Sequence, residues 1–129
     1  MAKEDYLIRL SMMQQEAEKL SEQVQIINQQ IAEFEILKLS LDNLDKSKEK
    51  EILANLGKGI FVKSRIEDKE LFVNVGSGVV VKKKAEEACK IIDKQVSQLG
   101  ELKRNMLDEI EKINSQLQEL IVEARKEKS

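Results

Sequence analysis

The sequence has no histidine, no proline and no tryptophan, and a single cysteine among 129 residues. Each absence removes a class of protein. Without imidazole, the side chain most used for proton transfer near neutral pH and for metal ligation is missing. The lone Cys89 has no histidine to activate it and no second cysteine to pair with. Neither a catalytic centre, a metal site nor a cofactor is therefore expected, and the chain reads as a non-enzyme. Without proline, nothing compels a helix to break. Aromatic residues are 3% of the chain, only Tyr6, Phe34, Phe61 and Phe72, so the bulky side chains that fill a globular core are scarce. No apolar run approaches the ~20 residues of a membrane span, and Met1 to Asp5 lacks the apolar core of a signal peptide. No membrane contact and a cytoplasmic location are expected.

What is present is charge in helix-forming company. Charged residues make up 36%, and Glu, Lys, Leu, Ile and Gln dominate, the usage of long helices and coiled coils. Net charge is only −2, too weak for a global pull on nucleic acid, but it is unevenly spread. Residues 1–57 carry −4, residues 58–84 carry +4 and residues 85–129 carry −2. Two readings fit the basic middle: lysines guarding exposed strand edges, or attraction of an acidic partner.

The apolar positions Tyr6, Leu10, Met13, Ala17, Leu20, Val24, Ile27, Ile31 and Phe34 alternate in steps of four and three, which is a heptad seam. After Phe34 the phase shifts to Leu37, Leu41 and Leu44, a three-residue stammer, and the helix is expected to fade in Asp42 to Asp45 and the polar run Lys46 to Glu51. A second seam runs Ala85, Cys89, Ile92, Val96, Leu99, Lys103, Met106, Ile110, Ile113, Leu117, Leu120 and Ala124, with Lys103 its one charged member. Cys89 reads as a small buried packing residue. Acidic Glu86 and Glu87 suit the start of this helix.

Between the helices, Gly57 to Lys84 holds four of the five glycines and the β-branched runs. Strands are expected near 51–56, 59–66, 70–76 and 78–83, separated by turn signals at Gly57-Lys58-Gly59, Glu67-Asp68-Lys69 and Gly76-Ser77-Gly78. Gly76-Ser77-Gly78 lacks the third glycine and following helix of a phosphate-binding loop, and Gly57-Lys58 lacks the Walker spacing; both read as hairpin turns. Ile60, Val62 and Ile66 share one strand face, as do Leu71, Val73 and Val75, while Phe61, Phe72 and Val80 stand opposite. A four-stranded patch apolar on both sides needs strands of other subunits to cover it. The two helices should pair antiparallel, with both termini at the far tip.

At that tip the apolar residues exceed what the seam needs. Leu7, Ile8 and Met12 lie off it, as do Ile121 and Val122 on the second helix. They are either a binding surface or incidental residues on frayed ends.

Helix, two β-hairpins, helix, with a middle reading LGKGIFVKSRI…ELFVNVGSGVVVKKKAEEA, resembles prefoldin. Two hairpins make it similar to the α-class subunit of the archaeal type, since β-class subunits have one. Where the family often has a proline ahead of the first glycine turn, this chain has Ala54-Asn55-Leu56. The resemblance implies a mainly α fold, a long antiparallel coiled-coil hairpin joined by two β-hairpins. It implies a single domain over 1–129, with helices over 5–45 and 84–127 and an oligomerisation region over 51–83. It implies an ATP-independent holdase in an α2β4 hexamer with β-class subunits, capturing unfolded client proteins at its coiled-coil tips and passing them to a group II chaperonin. The client-binding residues carried over are Leu7, Ile8, Leu10, Met12, Met13, Leu117, Leu120 and Ile121. The oligomerisation residues are Ile60, Phe61, Val62, Ile66, Leu71, Phe72, Val73, Val75, Val79, Val80 and Val81. The competing reading is an architectural coiled coil that forms homo-oligomers or filaments through its β region.

Overall fold

The computed structural model describes residues 3–48 and 50–128. Met1, Ala2, Glu49 and Ser129, which include both ends of the expected 1–129 domain and the first residues of the segment read as lacking a signal core, lie outside the described residues. Two α-helices of 44 residues, α1 (Lys3–Lys46) and α2 (Ala85–Lys128), bracket four strands. The strands are β1 (Glu51–Gly57), β2 (Ile60–Arg65), β3 (Leu71–Gly76) and β4 (Val79–Lys83). The fold is therefore mainly α with two antiparallel β-hairpins between the helices.

The chain divides into two compact units. The described residues of the first, Met1–Ala32 with Val96–Ser129, are helix alone. Its core is Tyr6, Val24, Ile27, Ile113 and Leu120. With only two helical segments in this unit, each segment's buried side chains are covered by the other. Every seam position read from the sequence between Tyr6 and Phe34, and between Val96 and Ala124, is buried or half-buried, Lys103 included. The 3–4 spacing thus sets the packed faces directly, because on an α-helix residues so spaced fall on one stripe.

The second unit, Glu33–Gln95, contains the hairpins and the helix ends that carry them. Four of its features bear on the sequence-based expectation. First, α1 runs to Lys46, inside the stretch in which it is expected to fade. The Ser47 N–H donates to the Asn43 carbonyl at 2.9 Å, and the Lys69 ammonium donates to the carbonyls of Asp45 (2.5 Å) and Ser47 (2.8 Å). A cation on the unpaired carbonyls at a helix C-terminus is favourable in both hydrogen bonding and dipole.

Second, the phase shift comes later than Phe34: the half-buried positions continue Phe34, Lys38, Leu41 and Leu44, with Lys38 in place of Leu37. Lys38 takes the inward position because its ammonium reaches Asp93 of α2 at 2.6 Å. Leu37, 46% exposed, turns instead into a groove it shares with Leu71, Phe72 and Ile91.

Third, Cys89 is only half-buried, and Ala88 takes the buried place beside it. The first turns of α2 have two neighbours, α1 on one side and β3 on the other, so the packed face is rotated from the simple seam. Fourth, the strands form two separate two-stranded sheets, β1-β2 and β3-β4, and not one four-stranded patch.

The hairpins are copies of one another, a repeat that a strand-by-strand reading misses. Residues 51–63 (EILANLGKGIFVK) recur 19 positions later as 70–82 (ELFVNVGSGVVVK). In both, an asparagine side-chain oxygen accepts the N–H of the glycine two residues on, Asn55 to Gly57 at 2.8 Å and Asn74 to Gly76 at 2.9 Å. In both, the register shifts there by one residue and a two-residue turn follows. Lys58 (φ 50°) with Gly59 (φ 80°), and Ser77 (φ 52°) with Gly78 (φ 75°), have positive φ at both central positions, the signature of type I′ hairpin turns. The same glutamate–lysine pair closes each sheet, Glu51–Lys63 at 3.4 Å and Glu70–Lys82 at 3.7 Å.

Candidate functional site

The twins differ in what covers them. In β3-β4, Val73 stands opposite Val81 and Leu71 opposite Lys83. Leu71, Val73 and Val81 are half-buried, and Leu71 and Val73 line an apolar groove with Phe34, Leu37, Leu41 and Ile92. The outer face carries Phe72 and Val80, both exposed, with the Lys82 ammonium 5.6 Å from the centre of the Phe72 ring. In β1-β2 neither face is covered: Ile52, Val62 and Ile60 on one, Leu53 and Phe61 on the other, are all exposed. A lone two-stranded hairpin is marginal in water, and apolar groups exposed on both of its faces are more than single scattered surface hydrophobes. Of the expected oligomerisation residues, Ile60, Phe61, Val62, Phe72, Val75, Val79 and Val80 are exposed, while Ile66, Leu71, Val73 and Val81 are half-buried.

The second surface lies in the helical unit. The two arms of that unit begin at Ala32 and Val96. From there, Leu7 and Ile121 are each 25 residues along their helix, and at 1.5 Å per residue both stand about 38 Å out. Leu7 and Ile8 are thus as far along α1, to within a residue, as Ile121 is along α2, while Met12, 20 residues along, is about 8 Å nearer the start. The expected client-binding set then divides. Leu7, Ile8, Met12 (65% exposed) and Ile121 are exposed, as is Val122 beside them. Leu10, Met13 and Leu117 are half-buried in the seam, and Leu120, 5% exposed, is fully packed. A partner reaches Leu120 only if the coil opens, because a seam residue cannot serve both the opposite helix and a ligand.

The electrostatics are those of a solvated surface. Lys38 is held above its ordinary value by the hydrogen bond and charge of Asp93. Among the described residues no cluster of His, Cys, Asp and Glu is arranged to hold a metal ion. Nor is any helix among them long and apolar enough to cross a membrane.

Two long helices joined through two antiparallel β-hairpins define a prefoldin-like fold. The chain belongs to the prefoldin subunit family, whose model matches residues 13–128. That is a chaperone family and not an enzyme family. Among solved structures the chain is similar to filamentous PFD from Methanocaldococcus jannaschii, determined by cryo-EM. The TM-score is 0.80 at 21% identity, covering 89% of this chain and 97% of that one. No curated protein matches the sequence significantly.

Proposed function

We infer that this chain is an α-class prefoldin subunit, a cytoplasmic ATP-independent holdase that joins β-class subunits in an α2β4 hexamer. Residues 1–129 act as one domain, with the hairpins over 51–83 as its assembly region. The hexamer captures unfolded clients at the helix tips and hands them to a group II chaperonin. The observation that supports this reading is the exposure of Leu7, Ile8, Met12 and Ile121 beside a packed seam. An unfolded chain presents varied apolar side chains, and flexible methionine beside branched residues adapts to them. The uncovered hairpin supports obligate assembly, and the presence of two hairpins supports the α class.

The test is aggregation of a denatured client in the presence of the chain assembled with a β-class partner. The Ile8→Ser/Met12→Ser/Ile121→Ser variant is expected to lose most of the protection while its particle mass by light scattering stays unchanged. Undiminished protection would sink the tip assignment. Failure to form a closed particle with any β-class partner would sink the subunit class. A second reading, a homo-oligomer or filament joined through the hairpins, is favoured by the similarity to a filamentous PFD and by the uncovered β1-β2 sheet. Large, polydisperse species of the chain alone in sedimentation would select it.

A further inference from the structure

The helix pair of the Glu33–Gln95 unit has another groove besides the one facing hairpin β3-β4. Only α1 and α2 line it, through Glu35, Leu39, Asp42, Asp45, Glu86 and Cys89 among others. Its apolar edge is open: Leu39, in the lining, is 62% exposed, and Ile36, outside the lining on the adjoining surface of α1, is 66% exposed. Its charge is unbalanced. Lys38 is the one cation in the lining, and Asp93 holds it at 2.6 Å. Asp42 is shared with Lys46 at 3.1 Å. Glu35, Asp45 and Glu86 have no ion pair among the described residues. An exposed apolar edge beside unpaired acids calls for an apolar face that carries cations.

One surface of this same chain has that chemistry. On β1-β2 the register places Leu53 opposite Lys63, Asn55 opposite Phe61 and Glu51 opposite Arg65. Directly opposed residues share a sheet face, so Leu53, Phe61, Lys63 and Arg65 stand together, with Glu51 the only acid. That face is uncovered in its own chain, and no residue of β1 or β2 lines the acidic groove. The twin hairpin lies against the helix pair through its other face, so Leu53 and its repeat partner Phe72, each 68% exposed, provide a matched comparison within one molecule.

The geometry points to the acidic groove of one copy as the seat of hairpin β1-β2 from a second copy. Leu53 and Phe61 lie over Ile36 and Leu39, and Lys63 and Arg65 meet Glu35, Asp42, Asp45 and Glu86. Ile52, Ala54 and Val62, on the reverse face, stay free for strand contacts with other subunits. This goes beyond client holding: the contact needs two copies of the chain, whether in a hexamer or a homo-oligomer, and stands if the tips bind nothing.

Because Cys89 lines the groove and is the only cysteine, cross-linking reads the contact directly. In the full-length chain, Leu53→Cys under mild oxidation is expected to give a disulfide-linked dimer whose peptide map joins Cys89 to the new cysteine of the other copy. The yield should exceed that of Phe72→Cys at least fivefold. Equal yields, a link between two copies of the new cysteine, or a bridge within one chain would each overturn the proposal. Adding Glu35→Lys/Glu86→Lys should cut the cross-link about tenfold, and Lys63→Glu/Arg65→Glu on the same chain should restore it. A yield indifferent to both charge changes would likewise refute the assignment.

Discussion

Replacing Leu120 by Ala and, separately, Met12 by Ala tests whether the helix ends are a packed seam beside a free surface. Leu120 is 5% exposed and Met12 65%, although both are large apolar residues toward the free ends of the two helices. Truncating a buried leucine costs about 2–5 kcal/mol, the transfer of its lost carbons plus the cavity left behind. A coil of two helices collapses into a cavity more readily than a globular core does, so about 2–3 kcal/mol is expected for Leu120→Ala. Against a total stability of roughly 6–19 kcal/mol for a chain of this length, that is a large fraction. It corresponds to a fall in Tm of about 6–15 °C at some 3–5 °C per kcal/mol. Met12→Ala removes surface that water already reaches and improves helix propensity, so its cost should stay under about 0.5 kcal/mol, a shift of about 2 °C or less. Melting followed by far-UV circular dichroism, at one fixed protein concentration because association shifts Tm, separates the two. If Met12→Ala costs as much as Leu120→Ala, Met12 is buried in the assembled particle and is no client surface. If Leu120→Ala is nearly silent, the ends are frayed and the exposed cluster has no rigid support.

Two further outcomes follow from the hairpins and the charges. Gly59→Ala and Gly78→Ala should each cost about 1–2 kcal/mol, since their φ values of +80° and +75° suit glycine and no atom lies within 4 Å of the added carbon. Matched increases in hydrogen exchange at the two turns are expected, and a silent substitution at either would refute the turn assignment. Lys38 is raised above the ordinary lysine value of 10.5 by Asp93; its contribution is complete below that value and is lost only as pH rises through the raised one. With no histidine to titrate, Tm should be nearly flat between about pH 6 and pH 9, and a fall of more than about 5 °C within that range would contradict the assignment.

The sequence by itself determined what local periodicity can carry. The two seams, from Tyr6 to Phe34 and from Val96 to Ala124, were legible because residues spaced three and four apart share a helix stripe whatever lies opposite. The hairpins were legible because Lys58-Gly59 and Ser77-Gly78 are turn chemistry in themselves. The repeat of 51–63 at 70–82 was also written in the sequence, in the recurring Asn, Gly-x-Gly and Lys, and comparing the two segments directly would have found it. Tertiary structure alone decided exposure, because burial depends on which element arrives opposite a side chain and not on the residue's own spacing. It put Leu120 inside the coil and left Ile8 and Met12 outside. It drew Lys38 onto the seam through Asp93, in another part of the chain, and turned Leu37 toward β3. It also covered one face of one hairpin while leaving its near-identical twin bare, a difference no comparison of the two segments contains.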